Sequence, residues 1–143
     1  MNLPQNTPLG KLQLIEVYHY YDGPKPFSCR SNSGQIYLVF WLGDENNADN
    51  WMYVPISLNR FINARAGSIS LYDVCKKSEN DFVWILKASF QEDKHSAILI
   101  KLCADLKDDE LPAKDSYLEL DIQTLPAIEE MSPFVKEKVF FRT

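Results

Sequence analysis

The residues of this chain with the means to do chemistry gather in its first thirty positions. His19 stands among Tyr18, Tyr20, Tyr21 and Asp22, and Cys29 and Arg30 follow ten and eleven positions later. Histidine titrates near neutrality, so His19 as general acid or base, Arg30 steadying the charge of a phosphoryl transition state and Tyr20 or Tyr21 beside them would make a metal-free nuclease site. The simpler reading of the same residues is a half-buried histidine hydrogen-bonded within an aromatic sheet. His95 follows Lys94 in a polar turn and reads as a surface residue.

A cysteine nucleophile needs a nearby base and a lowered pKa. Cys29, beside Arg30 and within reach of His19 if the first two strands pair, is the one arrangement of that kind. Cys75 and Cys103 fall on apolar periodicities and are assigned to packing, and Cys29 serves equally well as a small core residue. The carboxylates at Asp44-Glu45, Asp49, Asp108-Asp109-Glu110 and Glu129-Glu130 are adjacent or isolated, whereas a hard-metal cage needs converging oxygens. With five glycines, no phosphate-binding loop and no nucleophile-elbow or zinc-protease motif, neither a metal nor a cofactor is expected.

Aromatic residues are in surplus, eighteen of 143. Tyr18, Tyr20, Tyr37, Trp41, Trp51 and Tyr53 fall on a strand parity opposite to the expected core, which makes them the candidate binding face. A second core layer under the C-terminal segment explains the same pattern. Base stacking in the manner of single-strand RNA binders is a third use of such a face.

The charge is uneven. Residues 1–104 hold ten acids and ten bases, and residues 105–143 hold ten acids and five bases, so the whole net charge of −5 belongs to the C-terminal quarter. A general nucleic-acid binder has the opposite sign. A chain of 143 residues fits a single domain, 1–143, with the acidic segment 105–143 packed on it or extending from it. The unpaired cysteines, the absence of a leader pattern in Met1–Pro8 and of a long apolar run point to a soluble protein of a reducing cytoplasm, away from membranes.

The elements that must position these residues are mostly strands. Ile15, Val17, His19 and Tyr21 alternate with Glu16, Tyr18 and Tyr20, odd positions inward. A short strand from Phe27 to Ser31 and the turn Asn32-Ser33-Gly34 lead into Ile36–Leu42, apolar on both parities and hence central. The polar loop 43–50 joins it to a second buried strand, Trp51–Ile56. Ser57 and Ser70 read as N-caps of two short helices, the first closed by Gly67. Phe82–Phe90 and Ser96–Cys103 form a hairpin, Asp105–Ser116 a mobile charged loop, and Tyr117–Ile122 and Phe134–Phe141 two further strands. The expected class is α+β, a mostly antiparallel bent sheet or partly open β-barrel with the two helices after the fourth strand.

Tyr21-Asp22-Gly23-Pro24-x-x-Phe27-Ser28-Cys29, Gly34-Gln35-x-Tyr37-Leu38, Trp51-x-Tyr53-Val54-Pro55-Ile56-Ser57 and Gly67-Ser68-Ile69-Ser70-Leu71 with Asp73 carry a resemblance. Over about residues 12–90 the chain resembles a family of small uncharacterised bacterial domains of unknown function. The resemblance implies a bacterial, cytoplasmic setting and one compact β-rich domain, and carries over no active residue or ligand. The function expected is a non-catalytic protein-interaction module, an accessory or antitoxin-like component of a bacterial operon. Its partner would be another protein, basic in character, or a second copy in a homodimer. A nuclease built on His19 and Arg30 and an RNA- or nucleotide-sensing module are the alternatives.

Overall fold

The structure is a computed structural model and describes residues 9–19, 25–45, 48–89 and 95–119. Six strands form one antiparallel sheet in chain order: β1 (Leu12–Val17), β2 (Phe27–Ser31), β3 (Ile36–Glu45), β4 (Ala48–Ile56), β5 (Phe82–Ser89) and β6 (His95–Leu102). Helices α1 (Leu58–Arg65) and α2 (Leu71–Lys76) lie between β4 and β5. The class is α+β and sheet-dominated, and among the described residues β1 and β6 are its edges, so the sheet does not close into a barrel.

Both faces of the sheet are apolar because β3 and β4 are apolar on both parities. Ile36, Leu38 and Phe40 pair with Ile56, Val54 and Met52 on one face, and Tyr37, Val39 and Trp41 pair with Pro55, Tyr53 and Trp51 on the other. The first face is covered by Phe61 and Ala64 of α1, Leu71, Val74 and Cys75 of α2, and Cys103 and Leu106 beyond β6. The second holds Leu12, Leu14 and Val17 of β1 together with Phe27, Cys29, Tyr37, Val39, Tyr53 and Leu86. The β3–β4 arms run further than the polar composition of 43–50 suggests, with Asp44 opposite Asp49 and Glu45 opposite Ala48. The indole of Trp41 donates to Asp49 Oδ1 at 2.8 Å, which gives one of those carboxylates a donor across the arm.

The helices start and stop where their caps dictate. Ser57 Oγ accepts from the Arg60 N–H and Ser70 Oγ from the Asp73 N–H, each at 3.2 Å. After α1 the Gly67 N–H returns to Ala64 O and the Ser68 N–H to Asn63 O, a reversal that needs the positive φ of +76° at Gly67. The Arg60 guanidinium then donates to the carbonyls of Asp73 and Lys77, tying the two helices at the end of α2.

Residues 105–116 are not a free loop. Two short 3-10 turns, Cys103–Asp105 and Asp108–Glu110, let Leu106 sink into the first core and Leu111 pack on it, with Leu118 following. The Leu71 N–H donates to Ser116 O at 2.8 Å and the His19 N–H to Glu119 O at 2.6 Å, so the segment crosses that face from β6 to the end of β1. Tyr117–Glu119 is not a strand. The rest of the strand expected there, the strand at 134–141 and the tyrosines at 20 and 21 lie outside the described residues.

Candidate functional site

A bulge in β1 builds the most polar feature of the interior. The register with β2 shifts between Leu14 and Glu16, so Leu12 and Leu14 face the second core while Ile15, Glu16 and Tyr18 all turn to the first. Glu16 is thereby placed beneath the last turn of α1, at 2% exposure. Arg65 meets it in a two-pronged ion pair, Nε to Oε1 at 2.6 Å and Nη2 to Oε2. The Tyr18 hydroxyl donates to Glu16 Oε1 at 3.0 Å and is hydrogen-bonded to Ser28 Oγ at 2.8 Å. Burial, with the carboxylate beside it, pushes the Tyr18 phenol well above its ordinary range. Four side chains, from β1 and its end, β2 and α1, thus satisfy one another with little exposure to solvent.

Beside this network a cavity of about 690 Å3 opens between the ends of β1 and β3 and the segment 109–119. Its floor is Tyr18, Phe40 and Leu71, all buried. His19, Asp109, Tyr117 and Glu119 stand exposed at its edge. Glu110 lines it too and is paired with Lys101, whose Nζ lies 2.7 and 2.9 Å from its two oxygens. Partial burial works against ionisation there, yet the Lys101 ammonium and the Lys107 backbone N–H hold the Glu110 carboxyl below its ordinary range.

The residues singled out by sequence do not meet at one site. His19 lines this cavity, while Arg30 lines a separate pocket with Gln35, Ile56 and Ser57. Arg30 sits opposite Gln13, six positions from His19 along the β1 side, roughly 20 Å at about 3.3 Å per residue. Cys29 is fully buried, opposite Leu14 and Tyr37, so it has neither the exposure nor the base of a nucleophile. Burial pushes its thiol up, and burial with the neighbouring Cys103 does the same to Cys75. Among the described residues no three His, Cys, Asp or Glu side chains converge as metal ligands would.

The aromatic face is corrected in the same way. Tyr18 belongs to the first core, and Tyr37 and Tyr53 to the second, where Phe27, Trp51, Tyr53 and Tyr37 pack edge to face with centroids 5.5, 6.4 and 6.1 Å apart. Trp41 and Trp51 are half-buried, and Tyr20 lies outside the described residues. Rings fill this face of the sheet because they supply the volume that close packing requires.

Apolar surface does emerge, at a place the sequence reading did not single out. Leu99, Ile100 and Leu102 are 60%, 54% and 55% exposed on β6, which pairs with β5 and forms the edge of the sheet. Leu99 lies opposite Ile85 on the first face, and Ile100 and Leu102 opposite Trp84 and Phe82 on the other. The available signal was that Ser96–Cys103 is the final apolar run before a polar segment, and the end of a meander is an edge.

The cysteines give a prediction here. In the native protein fewer than one thiol per chain is expected to react with Ellman's reagent within minutes at about pH 8, and all three after denaturation. Because folded thiol and phenol pKa values lie above their unfolded ones, stability is full at lower pH. It declines as pH rises past about 8.5 for the thiols and 10 for the phenols, which urea titrations at several pH values would measure.

No curated protein and no solved structure matches this chain. A family model does, over residues 1–138, reaching well beyond the motifs of about residues 12–90 and through most of the C-terminal segment. Among the described residues no helix is long and apolar enough to cross a membrane. An open six-stranded meander with both faces filled, whose C-terminal segment is matched along with its sheet, belongs to the family of unknown function DUF6575.

Proposed function

We propose that this protein is a non-catalytic interaction module that receives an extended segment of a partner protein along the β6 edge. One observation carries the reading: the large apolar side chains exposed on β6 stand on both sides of an edge strand eight residues long. Proteins usually guard such an edge with charge, bulges or a covering element. The one lysine in the exposed stretch, Lys101, is drawn aside to Glu110, and among the described residues nothing else guards Leu99, Ile100 and Leu102. Strand addition supplies backbone hydrogen bonds, and alternate side chains of the incoming segment meet Leu99 on one face and Ile100 and Leu102 on the other.

The partner's charge follows from what lies next to the edge. Asp105, Asp108 and Asp109 are exposed just beyond β6, and a chain of net charge −5 repels its own copy. An apolar strand with basic flanks therefore fits better than a second copy of this chain. Three buried free thiols accord with a reducing cytoplasm, and the role we propose there is an accessory or antitoxin-like one. The nuclease alternative would need His19 and Arg30 in one site, and they line different pockets.

The test is affinity purification from the native host with mass spectrometry, wild type against an Ile100→Lys, Leu102→Lys double variant. The lysines should abolish recovery of the main partner while the thermal midpoint stays within a few degrees, since both positions are exposed. Recovery of the same partners by both proteins would refute the edge as the docking surface.

A further inference from the structure

The cavity between β1, β3 and the segment 109–119 has no part in strand addition, and its composition is unusual. At about 690 Å3 it is in the range of small-molecule sites, roughly 300–1,000 Å3. Its floor and much of its wall are apolar, lined by Phe40, Leu42, Leu71, Leu111 and Leu118. Among the described residues three carboxylates, Asp109, Glu110 and Glu119, line the cavity, and no lysine or arginine does. Glu110 is matched by Lys101. Asp109 and Glu119 are exposed and, among the described residues, in no ion pair.

From this geometry we infer that the cavity binds a small organic cation with a hydrophobic body, an arylalkyl or alkyl amine. The apolar part enters over Phe40 and Leu71, and the ammonium remains at the mouth with Asp109 and Glu119. Low-dielectric walls focus the field of rim carboxylates on the opening, which attracts a cation and rejects an anion of the same shape. The floor has no polar group to spare, because the Tyr18 hydroxyl is already committed to Glu16 and Ser28. A ligand polar at both ends would therefore leave one end unsatisfied.

Three probes of one shape decide it, phenethylammonium, 2-phenylethanol and 3-phenylpropanoate, titrated calorimetrically and by tryptophan fluorescence at low salt. The cation should bind at least about tenfold more tightly than the alcohol, and the carboxylate should not bind measurably. In an Asp109→Asn, Glu119→Gln variant the cation's advantage should fall to within about twofold, with the alcohol unchanged. Ala113→Trp, on the exposed rim, should abolish binding of both by filling the opening. Failure of all three probes to bind, equal affinity for all three, or a cation affinity indifferent to both variants would overturn the proposal. The edge reading rests on other residues and stands or falls by its own experiment.

Discussion

Arg65→Ala is expected to destabilise the protein by roughly 3–5 kcal/mol, a large part of the 5–15 kcal/mol typical of a domain. The loss is not the worth of one ion pair. It is the cost of leaving the Glu16 carboxylate inside the sheet-helix interface with only the Tyr18 hydroxyl for company. Glu16→Ala strands the guanidinium instead, and because Arg65 sits in the last turn of α1 its long side chain can swing toward water, so the cost should be smaller. Replacing both together, Glu16→Leu with Arg65→Met, should recover most of the loss, since a well-packed apolar pair often matches a buried salt bridge. Urea unfolding of Glu16→Leu, Arg65→Met and the double completes a cycle. A loss below about 1 kcal/mol for Arg65→Ala would mean that water reaches the pair and that it is an ordinary surface contact.

Tyr53→Ala should cost a similar amount, roughly 3–5 kcal/mol, and Tyr53→Phe only about 1 kcal/mol. The ring is buried against Phe27 and Tyr37 at the centre of the second core, so its removal opens a cavity that three strands cannot close. This result separates a core from a docking face. On a docking face, truncation costs under about 0.5 kcal/mol of stability and is felt in binding. Thermal unfolding of the two variants is the measurement, and a stable Tyr53→Ala protein would return the aromatic residues to the surface.

The lesson for function is that apolar surplus on a strand parity says nothing about water until the opposite layer is known. Tyr37, Tyr53 and Trp51 have the composition of an interface, and the structure spends them on a second core. Leu99, Ile100 and Leu102 have the composition of a core, and they lie at the rim. The difference is the strand's place in the sheet. Position in a meander follows from the order of hydrogen-bonded neighbours, a long-range property.

Local chemistry was sufficient for much of this molecule. Apolar runs mark five of the six strands, the flanking turns mark the short β2, and Ser57, Gly67 and Ser70 mark the helix ends, because caps, turns and side-chain alternation are decided within a few residues. The bulge at Leu14–Glu16 was decided elsewhere: an extra residue in one strand has meaning only against the partner strand's register, and it reverses the parity of all that follows. That reversal turned Glu16 and Tyr18 inward and gave Arg65, 49 positions away, a partner. It left His19 at a cavity's edge, far along the ribbon from Arg30. Side-chain types are written in the chain, but which of them meet is set by pairing, and pairing is settled only when the whole sheet closes its cores.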